Sequence, residues 1–579
     1  MEEQKKLTGY PSIDKPWLKY YSEEANNAPL PECTIYEYLW ENNKDHLDDI
    51  AIDYFGHKIT YHTLFDNIHQ LAKGLYSIGV REGDIVTIIS INTPEMIYSL
   101  YALNLLGAIP NMEYVTETEK EAVAAIERCK SKTVIILDVL FDRFKSIIES
   151  TTVKHIIVLE ISSSMPIIKR TMYNLKYKKR KTNPRKCISY PMLLQCCKTI
   201  QRSTYKKDSP AVIVHSGGTT GVPKGVVLTN DNLNYIAWIF KHHQNDTKRA
   251  DTWLCAIPAF HAFGLAMGII FPLSQGMQLI LVVKYTDQEI VRLFVKDKPN
   301  HIMGSGAHIP SIQNSPAIQK MDLSFFKTCG LGGTPLSVEK EKELVSFLQH
   351  RNSIAKASIG YGMSETSSAI ATELNRYYGK PGSAGIILCK SSVKVLDTDG
   401  NEELTYGKIG ELCFSGPGIM KEYYNNREET EKALFLDKNG TKWVHSGDLG
   451  YVDKDGFIFI TGRIKRIYST RAEKNGALYK IYPDYVAKVI KEDSNINECA
   501  VVCIDDPNYK SIAIAYAAVF DNTDVDSTKA RVINHLKQSL TSHSIPKELF
   551  FIDAIPMTPI GKIDYRALEE RAAKEHKGE

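Results

Sequence analysis

Apolar positions recur at helical spacing through residues 61–78, and Asp84 then opens a β-rich run, Ile85-Val86-Thr87-Ile88-Ile89, that ends at Ser90. A period near 3.6 followed by a short, almost wholly apolar run predicts a helix packed on a buried strand. This βα rhythm fills residues 33–160 and returns in the apolar runs 133–137, 155–159, 211–214 and 278–283. Strands apolar on both faces belong to parallel sheets covered by helices, so a layered α/β architecture is predicted. Beyond about residue 380 the pattern changes to short runs cut by turn residues: 393–396 before Asp399-Gly400, 411–414 before Gly416, and Asp455-Gly456 leading into 457–460, closed by Thr461-Gly462-Arg463. These predict a small antiparallel β unit and, after Gly462, a last domain.

At 579 residues the chain exceeds one ordinary core and predicts two to four domains or subdomains. Its 43% apolar and 24% charged content is that of a folded chain. Met1-Glu2-Glu3-Gln4-Lys5-Lys6 carries acid where a secretory leader is basic, which predicts a cytoplasmic protein. The apolar runs 265–273 and 277–283 fall short of the roughly 18 residues that span a bilayer and read as core. Eleven cysteines without a Cys-x-x-Cys pair, and histidines without a His-Glu-x-x-His, argue against a transition-metal site.

The net charge of +3 conceals an asymmetry: residues 161–207 hold thirteen Lys/Arg and no Asp/Glu, leaving 3 − 13 = −10 for the rest. Within that stretch Lys169-Arg170 and the lysines from 176 to 186 interleave with Ile167, Ile168, Met172, Tyr173, Leu175 and Tyr177, a basic amphipathic helix or hairpin. It is read first as a solvated insertion and second as a peripheral membrane contact through anionic lipid or attraction to a polyanionic substrate such as coenzyme A.

His215-Ser216-Gly217-Gly218-Thr219-Thr220-Gly221-Val222-Pro223-Lys224-Gly225 runs directly out of the apolar segment 211–214. Glycines let backbone N–H groups approach an anion, hydroxyls add donors and Lys224 a mobile positive charge, so the loop suits a polyphosphate, hence a nucleotide. Lys224 follows Pro223 and precedes Gly225 rather than Ser or Thr, which excludes the P-loop pattern.

Further motifs follow in order: Gly330-Leu331-Gly332-Gly333-Thr334-Pro335-Leu336, Gly360-Tyr361-Gly362-Met363-Ser364-Glu365-Thr366, Trp443-Val444-His445-Ser446-Gly447-Asp448-Leu449-Gly450, Gly462-Arg463-Ile464-Lys465 and Pro556-Met557-Thr558-Pro559-Ile560-Gly561-Lys562-Ile563-Asp564. With these the chain resembles, over nearly its whole length, the adenylate-forming (AMP-binding) enzyme superfamily, and within it the acyl-coenzyme A synthetases and fatty-acid–CoA ligases. The resemblance implies an α/β fold in which a large N-terminal domain, 1–462, contains two βα-layered subdomains plus a distorted β-barrel. A hinge at Lys465 joins it to a small, mobile α+β domain, 463–579, which carries Lys562.

The implied reaction is activation of a carboxylic acid by ATP to acyl-AMP, then thioester formation with coenzyme A, releasing AMP and pyrophosphate. A carboxylate attacking the α-phosphorus is anion on anion, so charge must be neutralised and the reactants aligned. By resemblance Lys562 bridges carboxylate and phosphate, Glu365 binds Mg²⁺, and Thr366 hydrogen-bonds the α-phosphate. ATP is held by Ser216, Gly217, Gly218, Thr219, Thr220 and Lys224, by Gly332, Gly333, Gly360, Tyr361 and Gly362 around adenine, and by Asp448 with Arg463 at the ribose. Pro258-Ala259-Phe260-His261-Ala262-Phe263-Gly264-Leu265 matches the acyl-pocket segment, with His261, Phe263 and Gly264 lining it. It holds no aspartate to pair an α-ammonium group, so a medium- or long-chain fatty acid is expected first and an aryl acid second. A catalytically silent scaffold would lack Lys562 or Glu365, and both are present.

The partners implied are small molecules, with no nucleic acid. The family pattern has a lysine where this chain has Tyr468, and a shorter loop than 469–480, with Arg471, Lys474 or Lys480 as electrostatic substitutes. The thiol acceptor therefore stays open between coenzyme A and an external carrier protein.

Overall fold

The computed structural model describes residues 7–577 apart from 117, 149, 151, 177–185, 217–223, 243–246, 334, 335, 337, 374–378, 401, 467, 472–477, 522 and 558–562. The chain forms two compact units, one of Lys15–Val393 and Phe414–His445, the other of Met1–Asp14, Lys394–Cys413 and Ser446–Glu579.

The larger unit holds two sheets. One has nine strands in the order Ile386–Ile387, Ser368–Thr372, Lys356–Met363, Thr328–Leu331, His301–Gly304, Thr252–Cys255, Gln278–Ile280, Ile50–Tyr54, His57–Thr60. The six from Lys356–Met363 to Ile50–Tyr54 run parallel. The other has eight, ordered Glu422–Tyr423, Gly225–Thr229, Pro210–His215, Ile109–Met112, Ile85–Ile89, Thr133–Leu137, His155–Leu159, Cys187–Ser189, and its last six are parallel.

Local sequence accounts for these elements. The helix Tyr61–Ser77 starts where Thr60 Oγ1 accepts from the Thr63 N–H, and it buries Leu64, Phe65, Ile68, Leu71, Ala72 and Leu75, one helical stripe. Thr133–Leu137 is buried at every position, as a central parallel strand must be. Ile89, Val134, Ile136, Phe144 and Ile156 form one core, and Phe294, Ile302, Phe326 and Leu348 belong to another. Each such side chain contributes about 1.5–3 kcal/mol by leaving water.

In the smaller unit Ile496–Asp506 pairs antiparallel with Lys510–Val519, which pairs parallel with Glu548–Phe551. Alternation with period two divides its two cores: Cys499, Val501, Cys503, Ala513, Ala515 and Ala517 face one, while Ala500, Val502, Ile514, Tyr516 and Ala518 face the other. Val486 and Val489 of the helix Pro483–Ile490 and Val532 and Leu536 of Val525–Ser539 complete the first; Leu568 and Ala572 of Tyr565–Lys577 complete the second. This is the α+β arrangement expected of the C-terminal region.

Three expectations change. Among the described residues no sheet closes on itself, so the distorted barrel is replaced by open sheets. The reason is the long strand Lys442–Val452, which pairs with Leu434–Leu436 at one end and Ile458–Arg463 at the other instead of linking a ring. Thr461-Gly462-Arg463 accordingly continues that last strand rather than closing it. Finally, the basic stretch is not wholly an appendage: it contributes the helix Ile167–Lys176, and Cys187–Ser189 forms the edge strand of the eight-stranded sheet. No described helix is long and apolar enough to cross a membrane.

Candidate active site

The segment predicted to receive a polyphosphate follows the carboxyl end of Pro210–His215, the edge of the sheet at which open α/β folds bind ligands. Its neck is narrow: His215 opposes Gly225, and the Ser216 N–H donates to the Lys224 carbonyl at 2.9 Å. Gly217, Gly218, Thr219 and Thr220 lie outside the described residues. Lys224 pairs with the Glu429 carboxylate, and its ammonium stands 4.8 Å from the Tyr423 ring centre. Lys224, ahead of Lys432, draws the Glu429 carboxyl down to about 2.

The second motif is a turn under tight backbone constraint. Lys356–Met363 reverses through the single turn Ser364–Thr366 into Ser368–Thr372. A Cβ on Gly362 would sit 1.6 Å from the Ser368 carbonyl oxygen, so only glycine fits there. At Gly360 the nearest atoms lie 3.7 Å away, ordinary contact. Ser367 and Ser368 hold φ of 61° and 134°, uncommon for residues with a Cβ, and the Ser367 hydroxyl anchors the strain by donating to the Gly418 carbonyl at 2.7 Å.

Glu365 and Thr366 are both buried in this turn. The Thr366 hydroxyl accepts from the Met363 N–H at 3.0 Å and has the Met363 and Ser368 carbonyls at 3.0 and 3.2 Å for its own proton. A phosphate contact requires that hydroxyl to leave these carbonyls. One Glu365 oxygen accepts from the Tyr423 hydroxyl at 2.7 Å, and the Glu365 carbonyl accepts from the Met420 N–H at 2.8 Å. Burial, then the Glu365 charge, pushes the Tyr423 phenol well up, so it stays a donor.

Tyr423 was not among the residues marked by the sequence. Its two-residue strand pairs Tyr423 with Val226, just past the polyphosphate loop. The side chain thus stands between Lys224 and Glu365 and joins the two motifs. No periodicity reveals two residues whose partner lies almost two hundred positions earlier.

Gly332 follows the strand Thr328–Leu331, its N–H donating to the Gly304 carbonyl at 3.0 Å. An added Cβ there would lie 3.2 Å from the Phe263 ring, which places the predicted adenine glycine beside the predicted acyl-pocket residue. Gly333 has φ +79° and open space around it. Tyr361 is half-buried, its ring 5.7 Å from Phe414. Gly264 lies within a one-turn helix, Ala262–Leu265, close against Pro258, whose carbonyl oxygen would be 2.1 Å from a Cβ. His261 packs on Tyr114 and Phe260 at 4.9 and 4.8 Å between ring centres. The Tyr114 hydroxyl donates to the His215 carbonyl at 2.5 Å, tying the aromatic cluster to the root of the polyphosphate loop. His215 itself is buried with Nε2 2.9 Å from Asn111 Oδ1; burial pushes it down to about 4, so it is neutral despite Glu113 at 3.5 Å.

The smaller unit carries the remaining residues. Asp448 and Arg463 oppose one another in register, and Arg463 Nε meets Asp448 Oδ1 at 2.6 Å. The carboxylate is buried while the guanidinium is half exposed. Lys465 lies in the single turn Ile464–Arg466, flanked by a heavily anchored neighbour: Arg466 binds Asp484, donates to the Val501 carbonyl at 2.9 Å and stacks 3.3 Å from the Tyr565 ring centre. Tyr468 opens a hairpin of Tyr468–Arg471 with Leu478–Ile481, and its hydroxyl donates to Glu569 at 3.2 Å. Lys562 lies outside the described residues; Met557 and Ile563 form an antiparallel bridge on either side of its loop.

Residues 39–424 match the AMP-binding enzyme family and residues 485–562 the AMP-binding enzyme C-terminal domain. The chain is 28% identical to a long-chain-fatty-acid–CoA ligase of Bacillus subtilis (strain 168), over 97% of this chain and 99% of that one. It is 25% identical to a 4-coumarate–CoA ligase of Humulus lupulus, over 95% of each. Among solved structures, ATP-bound MatB from Rhodopseudomonas palustris superposes with a TM-score of 0.78 at 21% identity, covering 93% of this chain and 98% of that one. The chain belongs to the AMP-binding enzyme family. It is an AMP-forming acid–thiol ligase.

Proposed function

We propose that this ligase activates an apolar carboxylic acid, a medium- or long-chain fatty acid ahead of an aryl acid, and delivers it to the thiol of coenzyme A. In the first step a carboxylate oxygen bonds to the α-phosphorus of ATP as the bond to the leaving pyrophosphate breaks. In the second the thiol, losing its proton, bonds to the acyl carbon and AMP departs with the carboxylate oxygen. The observation that carries the substrate class is the aromatic cluster of Tyr114, Phe260 and His261, the last two within a segment, 258–265, that holds no carboxylate. Burial of an alkyl or aryl group there is favourable, whereas an ammonium would be left unpaired. The relatives include both a fatty-acid ligase and a 4-coumarate ligase, in keeping with an apolar acid of either kind.

In this reading Ser216, Gly217, Gly218, Thr219, Thr220 and Lys224 receive the phosphates; Gly332, Gly333, Gly360, Tyr361 and Gly362 receive adenine; Asp448 and Arg463 the ribose. Lys562 reaches the reacting oxygens, and residues 463–579 turn about Lys465 between the two steps. Eleven unpaired cysteines suit a reducing compartment, the cytoplasm.

Magnesium fits Glu365: one of its oxygens is held by Tyr423, and the other has no protein partner among the described residues. A bound magnesium ion would supply charge neutralisation on the phosphates. Tyr423 is then a positioning residue. Tyr423→Phe is expected to raise the magnesium concentration for half-maximal activity about 10- to 100-fold, with kcat largely recovered at saturating magnesium. Loss of kcat with no change in magnesium dependence would assign Tyr423 elsewhere.

Pyrophosphate release, compared across octanoate, palmitate, benzoate and phenylalanine with coenzyme A or a carrier protein as acceptor, tests the proposal. The fatty acids should exceed phenylalanine in kcat/KM by more than about a hundredfold, the discrimination that leaving an ammonium unpaired produces, and coenzyme A should accept the acyl group. A response to amino acids alone would overturn the substrate class, and loading of the carrier alone would overturn the acceptor.

A further inference from the structure

We propose that the helix Ile167–Lys176 docks the protein on an anionic phospholipid surface. The helix is inside out for a body surrounded by water. Its polar side is tied to the protein: Asn174 Oδ1 accepts from the Ser162 hydroxyl at 3.2 Å, Lys169 donates to the Phe55 carbonyl at 2.6 Å, and Arg170 donates to the Ser163 carbonyl at 3.4 Å. Its apolar side faces out: Ile168, Met172 and Leu175 are 76%, 64% and 78% exposed, and no residue of the helix is buried. At 3.6 residues per turn Ile168, Met172 and Leu175 fall within a sector of about 60°, with Lys169 and Lys176 along one edge.

Isolated exposed apolar residues need no explanation, but a stripe on a helix held by its polar side does. Charge selects what covers it. The helix itself carries Lys169, Arg170 and Lys176 and no acid, so a second copy presenting the same face would be repelled, whereas anionic headgroups are attracted. A ten-residue helix is about 15 Å long, too short to span a bilayer and suited to lying in its interface, apolar face down. The surface is distinct from the nucleotide motifs, so the docking proposal and the ligase reading stand or fall separately.

The test is sedimentation of the full chain with vesicles of phosphatidylcholine alone or mixed with phosphatidylglycerol. Binding to the anionic vesicles should exceed that to the neutral ones at least about tenfold and weaken with added salt. The triple variant Ile168→Ser, Met172→Ser, Leu175→Ser should lose about tenfold or more of that partitioning while keeping acid-dependent pyrophosphate exchange on octanoate, which reports an intact fold. In a separate variant, Leu175→Trp, fluorescence should shift to the blue on anionic vesicles only. Absence of binding, equal binding to both vesicles, a triple variant that binds like the parent, or a dimer that the triple variant abolishes would each overturn the proposal.

Discussion

Lys562→Ala is expected to lower acid-dependent exchange of pyrophosphate into ATP by about a thousandfold while leaving the dissociation constant for ATP within about twofold. The two reactants are both anions, and their repulsion is greatest as the carboxylate oxygen closes on the α-phosphorus. An ammonium that touches both partners only at that stage lowers the barrier without contributing to nucleotide binding. Lys562→Arg should recover little, because a planar guanidinium does not reproduce a compact point charge between two oxygens. Isothermal titration with ATP, beside the exchange assay, separates this outcome from a folding defect. Equal losses in ATP affinity and exchange would make Lys562 a binding residue instead.

Gly362→Ala is expected to have the largest effect on stability among single-methyl additions to the nucleotide motifs, a loss of about 3 kcal/mol, together with loss of exchange activity. The added carbon would stand 1.6 Å from the Ser368 carbonyl oxygen, about half a normal contact, and both atoms belong to paired strands that cannot shift independently. The same turn fixes Glu365, so any relief moves the carboxylate as well. Gly333→Ala is the control. There φ is +79° and nothing lies within 4 Å, so the cost is torsional alone, about 1 kcal/mol. Midpoints of urea unfolding for the two variants check the order, and a Gly362→Ala protein as stable as Gly333→Ala would contradict the geometry of the turn.

The parallel strands were legible because burial on both faces leaves a plain mark: residues 133–137 and 155–159 are strands with the bounds that their apolar runs define. The motif residues were legible for a similar reason, since Gly362 and Gly264 sit where a carbonyl oxygen occupies the space of a Cβ. The strand Lys442–Val452 was not. Ser446-Gly447-Asp448 and Gly450 look like turn signals in sequence, yet Gly447, at φ 68°, and the register shift at Leu449/Gly450 stay within one strand that pairs with Leu434–Leu436 at one end and Ile458–Arg463 at the other. That is also why an expected barrel is an open arrangement. Tyr423 escaped notice because a buried hydroxyl aimed at Glu365 is made by long-range pairing, not by a local pattern. The helix Ile167–Lys176 shows the opposite limit. Its amphipathicity is plain in the sequence, but which side meets the body is decided by Ser162, Ser163 and Phe55.

The central claim is that this chain couples a carboxylic acid to a thiol through an acyl adenylate. It is tested most directly by incubating the purified protein with magnesium, ATP, labelled pyrophosphate and a fatty acid, then adding coenzyme A. Label should enter ATP only when the acid is present, and coenzyme A should convert the accumulated adenylate to thioester and AMP. Exchange that ignores the acid, or no exchange with any acid offered, would contradict it.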